Sequence, residues 1–212
     1  MLREMDGYSS KINLAILASG SGSNLGALIS AVESQAINNA DISLVISNKE
    51  TAYALTRAQK ANIPAICLKR NLFNSDEEYD REVIKNLKEY NIDVVILAGY
   101  LRIITKPFLK AFEGRILNIH PSLLPDFGGK GMYGAKVHEA VINAKKAKSG
   151  CSVHIVTEEI DGGPILAQAC VPVSPNDTPE SLAKKVLKEE HKLYPTAVND
   201  FIAKSYYSHL TT

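Results

Sequence analysis

The stretch "GRILNIHPSLLP" (114–125) decides how this chain folds. Ile116, Leu117 and Ile119 make an apolar run that Asn118 and His120 interrupt at alternate positions, and Pro121 stops it. Alternation puts Asn118 and His120 on the same side of a strand, and a proline cannot donate the next ladder bond. The spacing therefore predicts a strand over 115–120 that ends with an amide and an imidazole together at its rim.

On either side of this strand the chain alternates between strand and helix signals. Upstream, "KINLAILA" (11–18) and "DVVILAG" (93–99) are nearly continuous apolar runs, as expected of strands covered on both faces. "DISLVIS" (41–47) and "PAICL" (64–68) read as two further strands. Helices are expected over 24–33, 51–61 and 75–90, the last with an acidic first turn that suits its N-terminal dipole, and a short one in "TKPFLKAF" (105–112). Downstream come a glycine-dense loop, "FGGKGMYGAK" (127–136), and a helix in "KVHEAVINA" (136–144). Two strands, 150–157 and 164–173, flank the turn "EEIDGG" (158–163). A last helix is expected from Thr178 as N-cap and Pro179 as first residue to about Lys204. The pattern gives an α/β fold with a mainly parallel central sheet, helices on both faces and late antiparallel strands. Residues 1–10 are expected to be a flexible leader and 11–205 a single domain. Ligands in such sheets sit beyond the carboxyl ends of the strands, so the ends of the strands at 18, 99 and 120 are the places to search.

Composition narrows the function. A chain of 212 residues with 45% hydrophobic and 22% charged residues is that of a soluble globular protein. Its net charge of +1 offers no electrostatic footprint for nucleic acid. Cys67, Cys151 and Cys170 share no CxxC spacing, so neither a disulfide framework nor a metal site follows, and a cytoplasmic location suits them. No apolar run approaches the ~20 residues of a membrane span, and no membrane partner is expected.

Two places carry chemistry. In "ASGSGSNLGAL" (18–28) Gly20 and Gly22 lie between a strand and a helix, where backbone N–H groups can hold a phosphate; a plain glycine turn is the alternative. Leu25 occupies the place of the third glycine of GxGxxG, and no GK[ST] is present, so a phosphomonoester fits better than a dinucleotide. At the second place, Asn118 and His120 could together stabilise an oxyanion, and His120 could move a proton. A carboxylate beside it would keep the ring charged. Asp161 is a candidate, although "DGG" is also an ordinary turn and spacing alone does not bring it near His120. His138 is expected on a helix surface, because "HEAVI" lacks the second histidine of HExxH. His154 could face the site or be a satisfied structural histidine, the second being preferred.

"ILNIHPSLLP", "IDGGPI" and "ILASGSGSNL", with the late "EHKLYP", resemble the 10-formyltetrahydrofolate-dependent formyltransferase family over about 11–195. The resemblance implies a Rossmann-like formyltransferase fold with Asn118, His120 and Asp161 as the catalytic set. It implies that Leu101, Arg102, Ile103 and Ile104 line the folate site, with Glu159 and Ile160 in a loop that closes over the pterin. Gly22, Ser23 and Asn24 would hold a substrate phosphate and Glu190 its ribose hydroxyls. The glycine loop and "EHKLYP" point to the branch that formylates the amine of glycinamide ribonucleotide in purine synthesis. The cosubstrate would be 10-formyltetrahydrofolate, with no metal, acting in a monomer or homodimer. A formyltetrahydrofolate deformylase or a non-catalytic folate- or nucleotide-binding module are the alternatives. Two departures stand out. Gly128 replaces a commoner proline, which predicts a looser loop, and Leu187 stands where some members carry a polar residue, which puts a ribose contact there in doubt.

Overall fold

A computed structural model describes residues 11–207; the expected leader lies outside them. Seven strands form one sheet: β1 (Ile12–Ala18), β2 (Ala40–Ser47), β3 (Ala65–Cys67), β4 (Val94–Leu97), β5 (Ile116–His120), β6 (Lys148–Ile155) and β7 (Ile165–Pro172). Their order is β3-β2-β1-β4-β5-β6-β7. The pairs from β3 to β5 are parallel, and β6 and β7 join antiparallel. After β3 the chain crosses to the far side of β1, so the direction of winding reverses between β1 and β4, the crevice where such sheets bind ligands.

Six α-helices cover the two faces: α1 (Ser23–Glu33), α2 (Tyr53–Lys60), α3 (Asp76–Glu89), α4 (Lys106–Ala111), α5 (Ala135–Asn143) and α6 (Pro179–Tyr207). Period-two alternation sorts β1 between two cores. Leu14, Ile16 and Ala18 pack with α1, α2 and α6, while Ala15 and Leu17 pack with α3 and α4. In β2 the alternation changes phase. Ala40 and Ile42 join the first core, but Leu44 and Ile46 join the second, because the register shifts by one residue opposite Leu14 and Ala15.

Local signals start and stop the helices. Ser75 caps α3, its hydroxyl accepting from Glu78 N at 3.0 Å, and Thr178 Oγ1 accepts from Ser181 N at 3.3 Å before α6. From α6 the fully buried Tyr194 reaches across the sheet, its hydroxyl 3.0 Å from the carbonyls of both Leu97 and Leu117 at the ends of β4 and β5. Tyr194→Phe leaves these carbonyls without their donor. The variant should lose about 1–3 kcal/mol of stability in urea denaturation at unchanged slope.

Candidate active site

The ends of β4 and β5 open into a cavity of about 620 Å³. Asn118, His120 and Asp161 all line it. Asn118 and His120 arrive as alternate residues of β5, on the face shared by Ser152 and His154 of the paired β6. Asp161 is brought in by the β6–β7 connection, with a left-handed backbone (φ 56°) that lets its carboxylate turn back toward β5. Its Oδ2 is 3.5 Å from His120 Nδ1, and its Oδ1 is 3.5 Å from His154 Nε2. Asn118 Nδ2 lies 3.0 Å from His154 Nε2.

The glycine-dense loop closes over this group. His120 Nε2 is 2.8 Å from Phe127 O, and Gly129 N donates to Asp161 Oδ2 at 2.9 Å. A carbonyl only accepts, so Nε2 carries the hydrogen, and the neutral ring has its lone pair at Nδ1, toward Asp161. Gly128 gives the close approach a reason. A Cβ there would stand 2.6 Å from Leu124 Cδ2 and 3.2 Å from Asp161 Cβ. The expected looseness at this position therefore meets a backbone threaded tightly between two side chains.

Electrostatics correct one expectation. Burial is the largest influence on His120 and pushes its pKa below the usual 6.5, outweighing the nearby Asp161 and the Phe127 carbonyl. The lowered pKa favours the neutral ring at pH 7. Asp161 behaves as a carboxylate. Its burial favours the neutral acid, but His154, His120 and the Gly129 N–H together hold its pKa below 3.8. His138, expected on a helix surface, is buried and lines the cavity, because the inner face of α5 runs through Val137, His138 and Val141. Burial, with a smaller contribution from His120, lowers its pKa too.

These shifts have a sign in stability. The pKa values of three rings, His120, His138 and the less buried His191, lie below 6.5 in the folded protein, so the unfolded chain binds more protons just under that pH. The stability from neutral His120 and His138 is present above 6.5 and lost as pH falls through the folded values. Asp161 adds to the loss below 3.8. His120 and His138 thus favour a lower denaturation midpoint at about pH 5.5 than at about pH 7.5, against a contribution of opposite sign from the buried Glu190. Replacing both rings by glutamine should flatten or reverse the dependence.

At the far end of the cavity the glycine loop turns at Gly22, whose φ of 65° and close approach to Ala54 exclude a side chain. Gly20, Ser21, Gly22, Ser23 and Asn24 line a smaller recess of about 160 Å³ with Gly99. Asn24 opens onto both spaces, and its Nδ2 donates to Glu190 Oε2 at 2.7 Å. Glu190, which helix periodicity alone would leave on a surface, is only 7% exposed. Burial raises its pKa against the opposing Asn24 bond. Leu187 lines the same wall.

The expected folate residues divide. Leu101, Ile103 and Ile160 line the mouth as an exposed apolar surface, 56%, 63% and 39% accessible. Ile104 lies deeper, packed against the α3–α4 core. Arg102 borders the cavity, but its guanidinium is turned to α3, 2.5 Å from Asp76 and 4.7 Å over the Tyr79 ring. Glu159 is not among the lining residues; its side chain folds against Gly162.

Sequence reasoning preferred a structural role for His154, yet it faces the site. The alternation in "SVHI" that places it opposite Val153 was the available signal. Ser152 is a second omission. It accepts from Leu124 N at 3.0 Å and donates to Ser122 O at 2.7 Å, with Gln168 Nε2 2.8 Å away, fixing the segment after Pro121.

The chain matches the formyl transferase family model over residues 12–198. It is 40% identical over 190 residues to phosphoribosylglycinamide formyltransferase of Escherichia coli, covering 90% of this chain and 87% of that protein. It is 44% identical to the chloroplastic enzyme of that name from Arabidopsis thaliana, covering 93% and 69%. The chain spans only 18% of the chicken trifunctional purine biosynthetic protein adenosine-3, at 41% identity over 90% of itself. The crystal structure of glycinamide ribonucleotide transformylase 1 from Symbiobacterium toebii superposes with a TM-score of 0.86 at 38% identity, covering 93% of this chain and 90% of that one. Sequence and fold thus agree, and the chain belongs to the formyl transferase family.

Proposed function

We propose that this protein transfers the formyl group of 10-formyltetrahydrofolate to the amine of glycinamide ribonucleotide, giving the formylated ribonucleotide and tetrahydrofolate. The observation that carries this reading is a cavity with a polar cluster at the end of β5 and an apolar mouth, adjoined at Asn24 and Gly99 by a polar recess at the glycine loop. The apolar residues Leu101, Ile103 and Ile160 suit the pterin. The N–H groups of Gly22, Ser23 and Asn24, at the N-terminus of α1, suit the phosphate.

The amine attacks the formyl carbon and a new C–N bond forms. Charge develops on the formyl oxygen, where the amide of Asn118 donates. The nitrogen gives up a proton to the Nδ1 lone pair of neutral His120, and the imidazolium is stabilised by the Asp161 carboxylate. That proton then passes to N10 as its bond to the formyl carbon breaks. Holding amine and formyl group in contact supplies much of the remaining acceleration.

Glu190 accepts from the ribose hydroxyls beside Asn24. Glu190→Gln keeps the shape and removes the charge, so KM for the ribonucleotide should rise roughly 10–100-fold, the worth of a hydrogen bond to a charged group. Both kcat and KM for the folate should stay nearly constant, which steady-state kinetics would show.

The reading is tested by spectroscopic turnover of 10-formyl folate with and without glycinamide ribonucleotide. Folate release that depends on the ribonucleotide supports it. Release of formate without the ribonucleotide would make the acceptor water, and binding without turnover in either case would leave only a ligand-binding module.

A further inference from the structure

His154 has no part in the transfer set out above, yet it is hydrogen-bonded to the residue placed at the oxyanion. The antiparallel register seats it directly opposite Asn118, and it is 1% exposed. Its two ring nitrogens have different partners. Nδ1 is 3.1 Å from the carbonyl oxygen of Ile155, and Nε2 is 3.0 Å from Asn118 Nδ2.

A carbonyl oxygen can only accept, so Nδ1 bears the hydrogen. In the neutral ring Nε2 then offers a lone pair, and an amide nitrogen can only donate to it. Asp161 Oδ1 also approaches Nε2, at 3.5 Å, so the Asn118 amide at 3.0 Å is the nearer partner of that nitrogen. The result is a directed chain from Asn118 N–H to His154 to the backbone of β6. An asparagine amide has two ends of nearly equal size, one a donor and one an acceptor, and an unconstrained side chain can present either. Only the donor end can hold a developing oxyanion; the oxygen end would repel it.

We infer that His154 is a positioning residue, whose Nδ1–H tautomer fixes the Asn118 amide with its nitrogen toward β6 and leaves the second N–H of that nitrogen for the oxyanion. This rests on the oxyanion role proposed for Asn118. A second proton on the ring would place an N–H against the amide nitrogen and turn the amide round. Asp161 and His120, the titratable groups beside it, share the same cavity.

A double-mutant cycle separates positioning from a merely structural role. In the native background His154→Phe should lower kcat on the order of tenfold or more with KM for both substrates held. In the Asn118→Ala background the same change should cost less than about twofold, because the group it acts through is gone. His154→Gln, which can still offer an acceptor, should recover part of the loss. Equal losses in both backgrounds, or no loss in the native one, would overturn the inference while leaving the oxyanion role intact. If Asn118→Ala alone retained full kcat, the oxyanion role would fail and this inference with it. The unmutated protein provides a test that does not depend on a variant folding. ¹⁵N shifts of the His154 ring should report Nδ1 protonated and Nε2 bare, and the opposite tautomer would rule the mechanism out.

Discussion

Asn118→Ala should lower kcat by a factor on the order of 10²–10³ and leave KM for both substrates nearly unchanged. The side chain is small, half-buried and held by His154 at 3.0 Å, so its removal disturbs little packing. In the proposed mechanism, what disappears is a donor aimed at charge that exists only after the amine has added. An interaction made in the transition state and absent in the ground state appears in kcat. Steady-state kinetics with chemistry limiting gives the measurement, and a variant with native turnover would remove Asn118 from the oxyanion site.

Asp161→Asn should be at least as damaging, with a loss of roughly 10²–10⁴ in kcat. Asparagine tolerates the left-handed backbone at this position, so the connection between β6 and β7 keeps its course. The charge is what is lost. Burial already disfavours protonated His120, and Asp161 is the leading influence that opposes it. Without the carboxylate the pKa of His120 falls further, and the ring becomes a poorer acceptor for the amine proton. The kcat/KM profile should then show its His120-dependent limb displaced to lower pH, in the direction opposite to that produced by adding negative charge. A profile that kept both its height and its midpoint would separate Asp161 from the chemistry of His120.

Much of the fold could be read in the chain, because it depends on local periodicity. The apolar runs at 11–18 and 41–47 became β1 and β2 to within a residue. The run at 93–99 is regular strand only over Val94–Leu97; Ala98 N still donates to Leu17 O, and the backbone turns away at Gly99, with a φ of 72°. Strand order was not legible. Nothing in "DVVILAG" says that it will sit beside β1 and not beside β3, since that choice is made by packing of helices on both faces. The candidate site divides the same way. Asn118 and His120 share a side by strand alternation and could be placed together from sequence. Asp161 could not, because its approach depends on a turn 41 residues further along the chain. The charge on His120 was misjudged because a residue string does not carry the burial that outweighs the carboxylate.

The bond between Asn24 and Glu190 joins residues 166 positions apart, and Tyr194 spans 97 positions to Leu97. Closing such loops is slow relative to local pairing, because chain entropy is lost before the contact rewards it. The neighbouring β–α–β units of the parallel half need no such closure, so they can form early in refolding. The recess at the glycine loop gains the Asn24–Glu190 contact only when α6 docks. Recovery of enzyme activity should therefore trail recovery of helical signal, and an early intermediate would be well structured while still lacking the Asn24–Glu190 contact.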